Sequence, residues 1–231
     1  MLLVPIAKDP IVLTYLTLRK VVGWVAFLLP FALVIPWVLK EHVLASSISA
    51  YYYTGMRNLF VGSLCAISMF MLCCRGYDRL DVRAGFFSGL CALGVAFFPT
   101  APESAATQSQ HMIGAVHYAF AFSLFSTLAY FCLRLFKMSA QNRQVTRRKL
   151  QRNQIYTICG WAIIGSMLMI FCFHYVFKID RLIGAVSPTL VFESTALLAF
   201  GYAWLIKGEA FFKDEIPGAS QTQTAGNEVT K

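Results

Sequence analysis

The residues with chemical potential are few, and they cluster near one end of four apolar runs. Glu193 stands in Phe192-Glu193-Ser194, about three residues into such a run, and His174 stands about as far from the corresponding end of the preceding one. His117 lies roughly six residues into another, or roughly 9 Å at the helical rise of 1.5 Å per residue, and Arg57 opens a fourth. The adjoining hydrophilic stretches add Ser49, Tyr53, Glu103 and His111. An ionisable group inside an apolar span is costly and faces a partner or a cavity. Gly114 and Ala121 flank His117 at one turn's distance and Ala196 follows Glu193, so both side chains are expected to point into a bundle.

Three chemistries fit such a group. Glu193, Arg57 and His117 could lock helices together as a satisfied polar cluster, with Arg57 or a histidine the simplest partner for Glu193. They could instead form a headgroup pocket, in which Arg57 takes a phosphate and tyrosines such as Tyr53 sit at headgroup level. A metal set of His111, His117, His174 and Glu193 is the third. Its spacing is poor: six residues rotate a helix by roughly 600°, so His111 and His117 point to different faces. There is no HExxH or HxxxH pair, and neither a metal nor a cofactor is expected. Nucleophilic catalysis has no serine elbow, and a pairing of Ser49 with a histidine depends on how its loop folds.

The elements that must position these residues follow from composition. Of 231 residues, 58% are apolar and only 13% charged, about half the charged share of soluble domains. Apolar runs at 21–38, 59–74, 84–98, 111–136, 154–177 and 190–206 approach the roughly 20 helical residues that cross a bilayer. The expected fold class is therefore all-α, a polytopic integral membrane bundle of six transmembrane helices. The third run is short, consistent with a tilted or thinned crossing. Residues 1–20 read as an interfacial segment without a signal-peptide cleavage site, 21–207 as the membrane domain and 208–231 as a largely disordered tail.

The net charge of +9 resolves into topology. With six spans, sixteen of the twenty Lys and Arg fall on the side of both termini, and only Lys40, Arg57, Lys178 and Arg181 on the other. Basic loops stay cytoplasmic, so both termini are expected inside, at a bacterial inner membrane. The basic stretch 143–152 then reads as a topogenic loop near anionic headgroups; it lacks the stacking aromatics of a nucleic-acid site. The seven cysteines lie in or at the ends of the runs and show no disulfide spacing, although Cys73-Cys74 beside Arg75 is placed to take a lipid. Gly85, Gly89 and Ala92, and also Gly160 and Gly165, mark faces where helices could approach closely.

Several stretches carry a resemblance. They are Ser47-Ile-Ser-Ala-Tyr-Tyr-Tyr-Thr-Gly-Met-Arg57-Asn-Leu-Phe-Val-Gly62, Arg75-Gly-Tyr-Asp-Arg, Phe97-Phe-Pro-Thr100, His111-Met-Ile-Gly-Ala-Val-His117, and Phe192-Glu193-Ser194 ahead of Ala199-Phe200-Gly201. Their arrangement resembles a bacterial family of six-helix membrane proteins of unknown function and, more distantly, the Frag/DRAM/Sfk family. That family's loop has Asp after the Ser and Pro-Glu before the Phe, where this chain has Ala50 and Met56-Arg57. The resemblance implies a membrane-embedded, lipid-related role, since family members are linked to lipid-anchor remodelling, phosphoinositide control and autophagy.

The expectation is thus a protein that binds or senses a lipid or amphiphile at an outward-facing pocket, with membrane lipids and a second copy of the chain as candidate partners. A membrane-embedded lipid hydrolase or transferase using the histidines is the first alternative. A small-molecule transporter is the second, but it lacks an evident inverted repeat and a polar lining in the inner half.

Overall fold

The computed structural model describes residues 10–73, 79–104, 106–138, 146–177, 179 and 186–211. It is all-helical, with no strand among the described residues. Six long helices follow in order: α1 (Pro10–Glu41), α2 (Arg57–Cys73), α3 (Arg79–Phe97), α4 (Gln108–Leu133), α5 (Arg147–Phe171) and α6 (Pro188–Lys207). Four of them begin or stop for a visible local reason. Thr107 caps α4 in a full capping box with Gln110, Thr146 caps α5 through the Lys149 N–H, and Ser187 caps α6 with Pro188 in its first turn. α1 ends where His42 adopts a left-handed φ of 58° and its N–H returns to the Val38 carbonyl.

The helices form a ring in chain order: each packs on its neighbours in sequence, and α6 closes back on α1. That closure is backbone on backbone. A Cβ on Gly201 would lie 2.6 Å from the Phe27 N, and one on Gly23 would lie 2.9 Å from the Leu205 N. α3 buries Gly85, Ser88, Gly89 and Ala92, with Gly89 against Leu72 of α2. Gly160 receives Leu133 of α4, whereas Gly165 faces open space.

Five helical stretches are long and apolar enough to cross a membrane: Thr14–Glu41, Arg79–Phe97, Gln108–Lys137, Arg147–His174 and Pro188–Lys207. α2, with 17 residues, is shorter. The outer circumference is apolar, as lipid contact requires: Phe122, Ile158 and Trp161 are each more than 60% exposed. α1 is continuous through Arg19 and Lys20, so the expected break between an interfacial segment and a first span falls inside a helix. Arg19 is accommodated there because it turns inward to the hydroxyl of Tyr15. The tail from residue 212 and part of the basic stretch, 139–145, lie outside the described residues.

Candidate functional site

The loop after α1 carries the site. It folds into a 3-10 turn, Ser49–Tyr53, tied to two helices by side chains from far along the chain. Glu193 Oε2 on α6 accepts the N–H groups of Ile48 (2.7 Å) and Ser49 (3.3 Å). These are donors that the start of a helical turn leaves without partners, and a carboxylate satisfies them with charge assistance. Within the loop, the Ser47 hydroxyl accepts the Ala50 N–H at 2.9 Å and the Thr54 hydroxyl donates to the Tyr51 carbonyl at 2.8 Å.

His117 on α4, 1% exposed, links this loop to the next. Its Nδ1 lies 2.6 Å from the Phe98 carbonyl and its Nε2 lies 3.1 Å from Ser49 Oγ. A carbonyl only accepts, so Nδ1 carries a proton; in the neutral ring Nε2 then accepts the Ser49 hydroxyl proton. Tyr53 adds a parallel tie, donating from its hydroxyl to the Thr100 carbonyl at 2.6 Å. Burial pushes the phenols of Tyr51 and Tyr53 above their ordinary value, and for Tyr53 the neighbouring Tyr52 adds to the rise while Arg57 opposes it.

Below the loop lies a narrow, half-open crevice of about 30 Å³ between the helices. Ile48, Ser49 and Glu193 form its polar end, and Leu29, Phe60, Leu64, Val95, Leu124 and Leu197 are among its apolar walls.

The expected residues divide. Ser49, His117 and Glu193 come together, with Glu193 held by backbone N–H groups and not by Arg57. Arg57 is exposed; its guanidinium stacks 4.2 Å over the Tyr52 ring and donates to the Tyr52 hydroxyl. His111 and His174 are also exposed and do not line that crevice. Among the described residues no three His, Cys, Asp or Glu side chains are grouped to hold a metal ion, so the four-ligand set is not assembled. The partners that sequence reasoning missed are backbone groups, namely the Ile48 and Ser49 N–H and the Phe98 and Thr100 carbonyls. No residue type announces these.

The Ser49–His117 pair has the contact distance of a serine and its general base. Acyl transfer also requires donors aimed at the developing oxyanion. The N–H of Ser49 faces the Glu193 carboxylate instead, so negative charge developing beside it would be repelled. The geometry is that of a latch. It joins the first loop to α4, α6 and the Phe98–Thr100 segment.

Fold and site together define a class: an all-helical bundle with five helices able to cross a membrane and a latched loop over an apolar crevice at one end. No protein family, curated protein or solved structure matches the chain.

Proposed function

We propose that this is an integral membrane protein crossing the bilayer six times, with both termini cytoplasmic, and that it binds an amphiphile in the crevice beneath the latched loop. The amphipathic crevice carries the reading: its walls are apolar with one polar end, the lining typical of small-molecule sites. A carboxylate, not a guanidinium, faces that crevice, so the ligand's polar end is a hydrogen-bond donor such as an amine or hydroxyl. A phosphate at Arg57, the earlier expectation, is less well supported, because Arg57 lies outside the crevice walls.

Six crossings are supported by α2, which starts beside the latched loop and leads to α3, whose Asp81 acts on Lys207 at the other end. The basic excess on that second end supports its cytoplasmic placement, and the likeness to the Frag/DRAM/Sfk family points to the same lipid-related class. Transport is less well supported. Between the two ends the interior presents Ala26, Ile67, Ala92, Leu128 and Phe200, while Ser68 and Ser88 donate to the carbonyls of Gly89 and Gly85.

Native mass spectrometry of the protein released from lipid nanodiscs tests the binding. An amphiphile should accompany the wild type and be lost from Ala121→Trp, whose ring obstructs the crevice wall. A wild type carrying no amphiphile would overturn the proposal. Reporters fused at residues 106 and 231 should emerge on opposite sides of the membrane, and emergence on one side would refute the six crossings.

A further inference from the structure

The outward sides of α3, α4 and α5 share a pattern that the crevice reading does not use. On α3 the exposed side chains Arg83, Phe86 and Leu90 fall within about 60° of one another around the helix axis, at 100° per residue. On α5 the same is true of Arg147, Leu150, Ile158 and Trp161 to within about 80°. α4, which packs between these two helices, ends in exposed Arg134 one turn beyond exposed Tyr130. Each outward face is thus apolar along its length and headed by an arginine.

The three arginines sit at one end of the ring, opposite the latch. Lys149 Nζ donates to the Met138 carbonyl at 3.2 Å, which brings the start of α5 level with the end of α4. Asp81 and Phe131 line one small crevice, which does the same for the start of α3. Asp81, the only acidic residue along α3, α4 and α5 among those described, therefore faces inward and not toward the three exposed guanidinium groups.

The other side of the ring differs. The exposed face of α1 carries Val21, Trp24 and Leu28, but Arg19 is only 7% exposed and turns to the Tyr15 hydroxyl. Lys207 of α6 is half-buried and donates to the Phe136 carbonyl at 3.1 Å. The cations of α1 and α6 are drawn into the bundle, whereas those of the α3–α4–α5 arc point out.

We propose that this arc is a docking surface for anionic phospholipid, with the headgroup phosphate at Arg83, Arg134 and Arg147 and the acyl chains along the apolar faces beside them. The inference rests on the six-crossing membrane reading above. Lengths agree with it: Leu90 lies seven residues from Arg83 and Trp161 fourteen from Arg147, roughly 10 and 21 Å of helix, against roughly 15 Å for one leaflet of hydrocarbon. Arginine heads such a face well, because its stem lies on apolar surface while its planar fork meets phosphate oxygens. Exposed Leu80, Val82 and Met138 stand at the level of the arginines, which fits a bilayer interface better than a soluble polyanion. Anionic lipid should therefore gather on one side of the molecule and not around its whole circumference.

Spin-labelled lipids test this on the full chain in phosphatidylcholine vesicles, with trace phosphatidylglycerol or phosphatidylcholine carrying the label. The immobilised fraction of the signal reports lipid held against the protein. Phosphatidylglycerol should be favoured about fivefold for each arginine that meets its headgroup, and the preference should shrink as salt rises. Arg83→Gln, Arg134→Gln and Arg147→Gln should each reduce the preference, and together bring the two lipids within about twofold. Lys40→Gln, at the outer end, removes one exposed cation from the chain and should leave the preference unchanged. Equal immobilisation of the two lipids by the wild type, as when a second copy or a soluble polyanion covers the arc, overturns the docking surface while leaving the membrane reading intact. A preference that survives in the triple variant overturns its placement at these arginines. Immobilisation of neither lipid overturns the membrane reading itself.

Discussion

Replacing Glu193 isolates the latch. In Glu193→Ala the Ile48 and Ser49 N–H groups lose their common acceptor, 2.7 and 3.3 Å away in the wild type. A buried donor left unpaired costs about 1–3 kcal/mol. The second bond is long and Glu193 is half-buried, so water recovers part of the loss and the pair is worth about 2–4 kcal/mol. Glu193→Gln keeps an acceptor of the same shape and loses only the charge assistance, about 1 kcal/mol. If the loop opens locally, amide exchange across residues 44–56 should accelerate about 30-fold to several hundredfold in Glu193→Ala and about fivefold in Glu193→Gln. Exchange by mass spectrometry in nanodiscs reads both, with the α5 peptides as an unchanged reference. The reasoning is refuted if Glu193→Ala exchanges within twofold of the wild type, or if the Gln and Ala variants behave alike.

Gly201→Ala places a Cβ 2.6 Å from the Phe27 N and 2.8 Å from the Gly23 carbonyl oxygen, so α1 and α6 must separate. A cost of about 1–3 kcal/mol from overpacking should exceed the gain of about 1 kcal/mol in helix propensity, while Gly165→Ala, facing open space, should be neutral or stabilising in the same unfolding titration. The buried Tyr51 phenol is raised above the ordinary 10.0, so the unfolded chain ionises first as pH rises. The stability it contributes is present below about pH 10 and lost above it; melting temperatures between pH 8 and 11 should fall more steeply in the wild type than in Tyr51→Phe. Because Ser49 lacks a free oxyanion donor at its own N–H, a fluorophosphonate should leave it unlabelled, and covalent labelling abolished in Ser49→Ala would restore the hydrolase alternative.

Much of the scaffold is legible in the sequence because lipid imposes simple rules. Lipid admits only helices and closed barrels, and continuous apolar runs approaching 20 residues with the charges gathered between them fit helices. The caps Thr107, Thr146 and Ser187 stand where side-chain oxygens are needed to start α4, α5 and α6. The prominence of His117 and Glu193 was legible too, since ionisable groups inside apolar runs demand partners. The identity of those partners was not, because Ile48 and Glu193 are 145 residues apart and the donor is a backbone N–H that every residue but proline possesses.

The same limit explains the residues that the fold set aside and those it brought forward. Arg57, His111 and His174 have the right types and approximate depth, yet helix rotation and loop course leave them exposed. In the sequence Arg19 is only one of a basic pair closing the amino-terminal segment; α1 continues through it and places its guanidinium on a crevice wall shared with Trp204. Sequence by itself determined that this chain is helical, with several apolar segments of membrane-spanning length and its basic residues gathered between them, because hydropathy and charge are properties of local segments. Only the tertiary structure decided that Glu193 latches a loop and that Arg19 and Trp204 share a cavity wall, because ring closure and helix rotation depend on packing between segments distant in the chain.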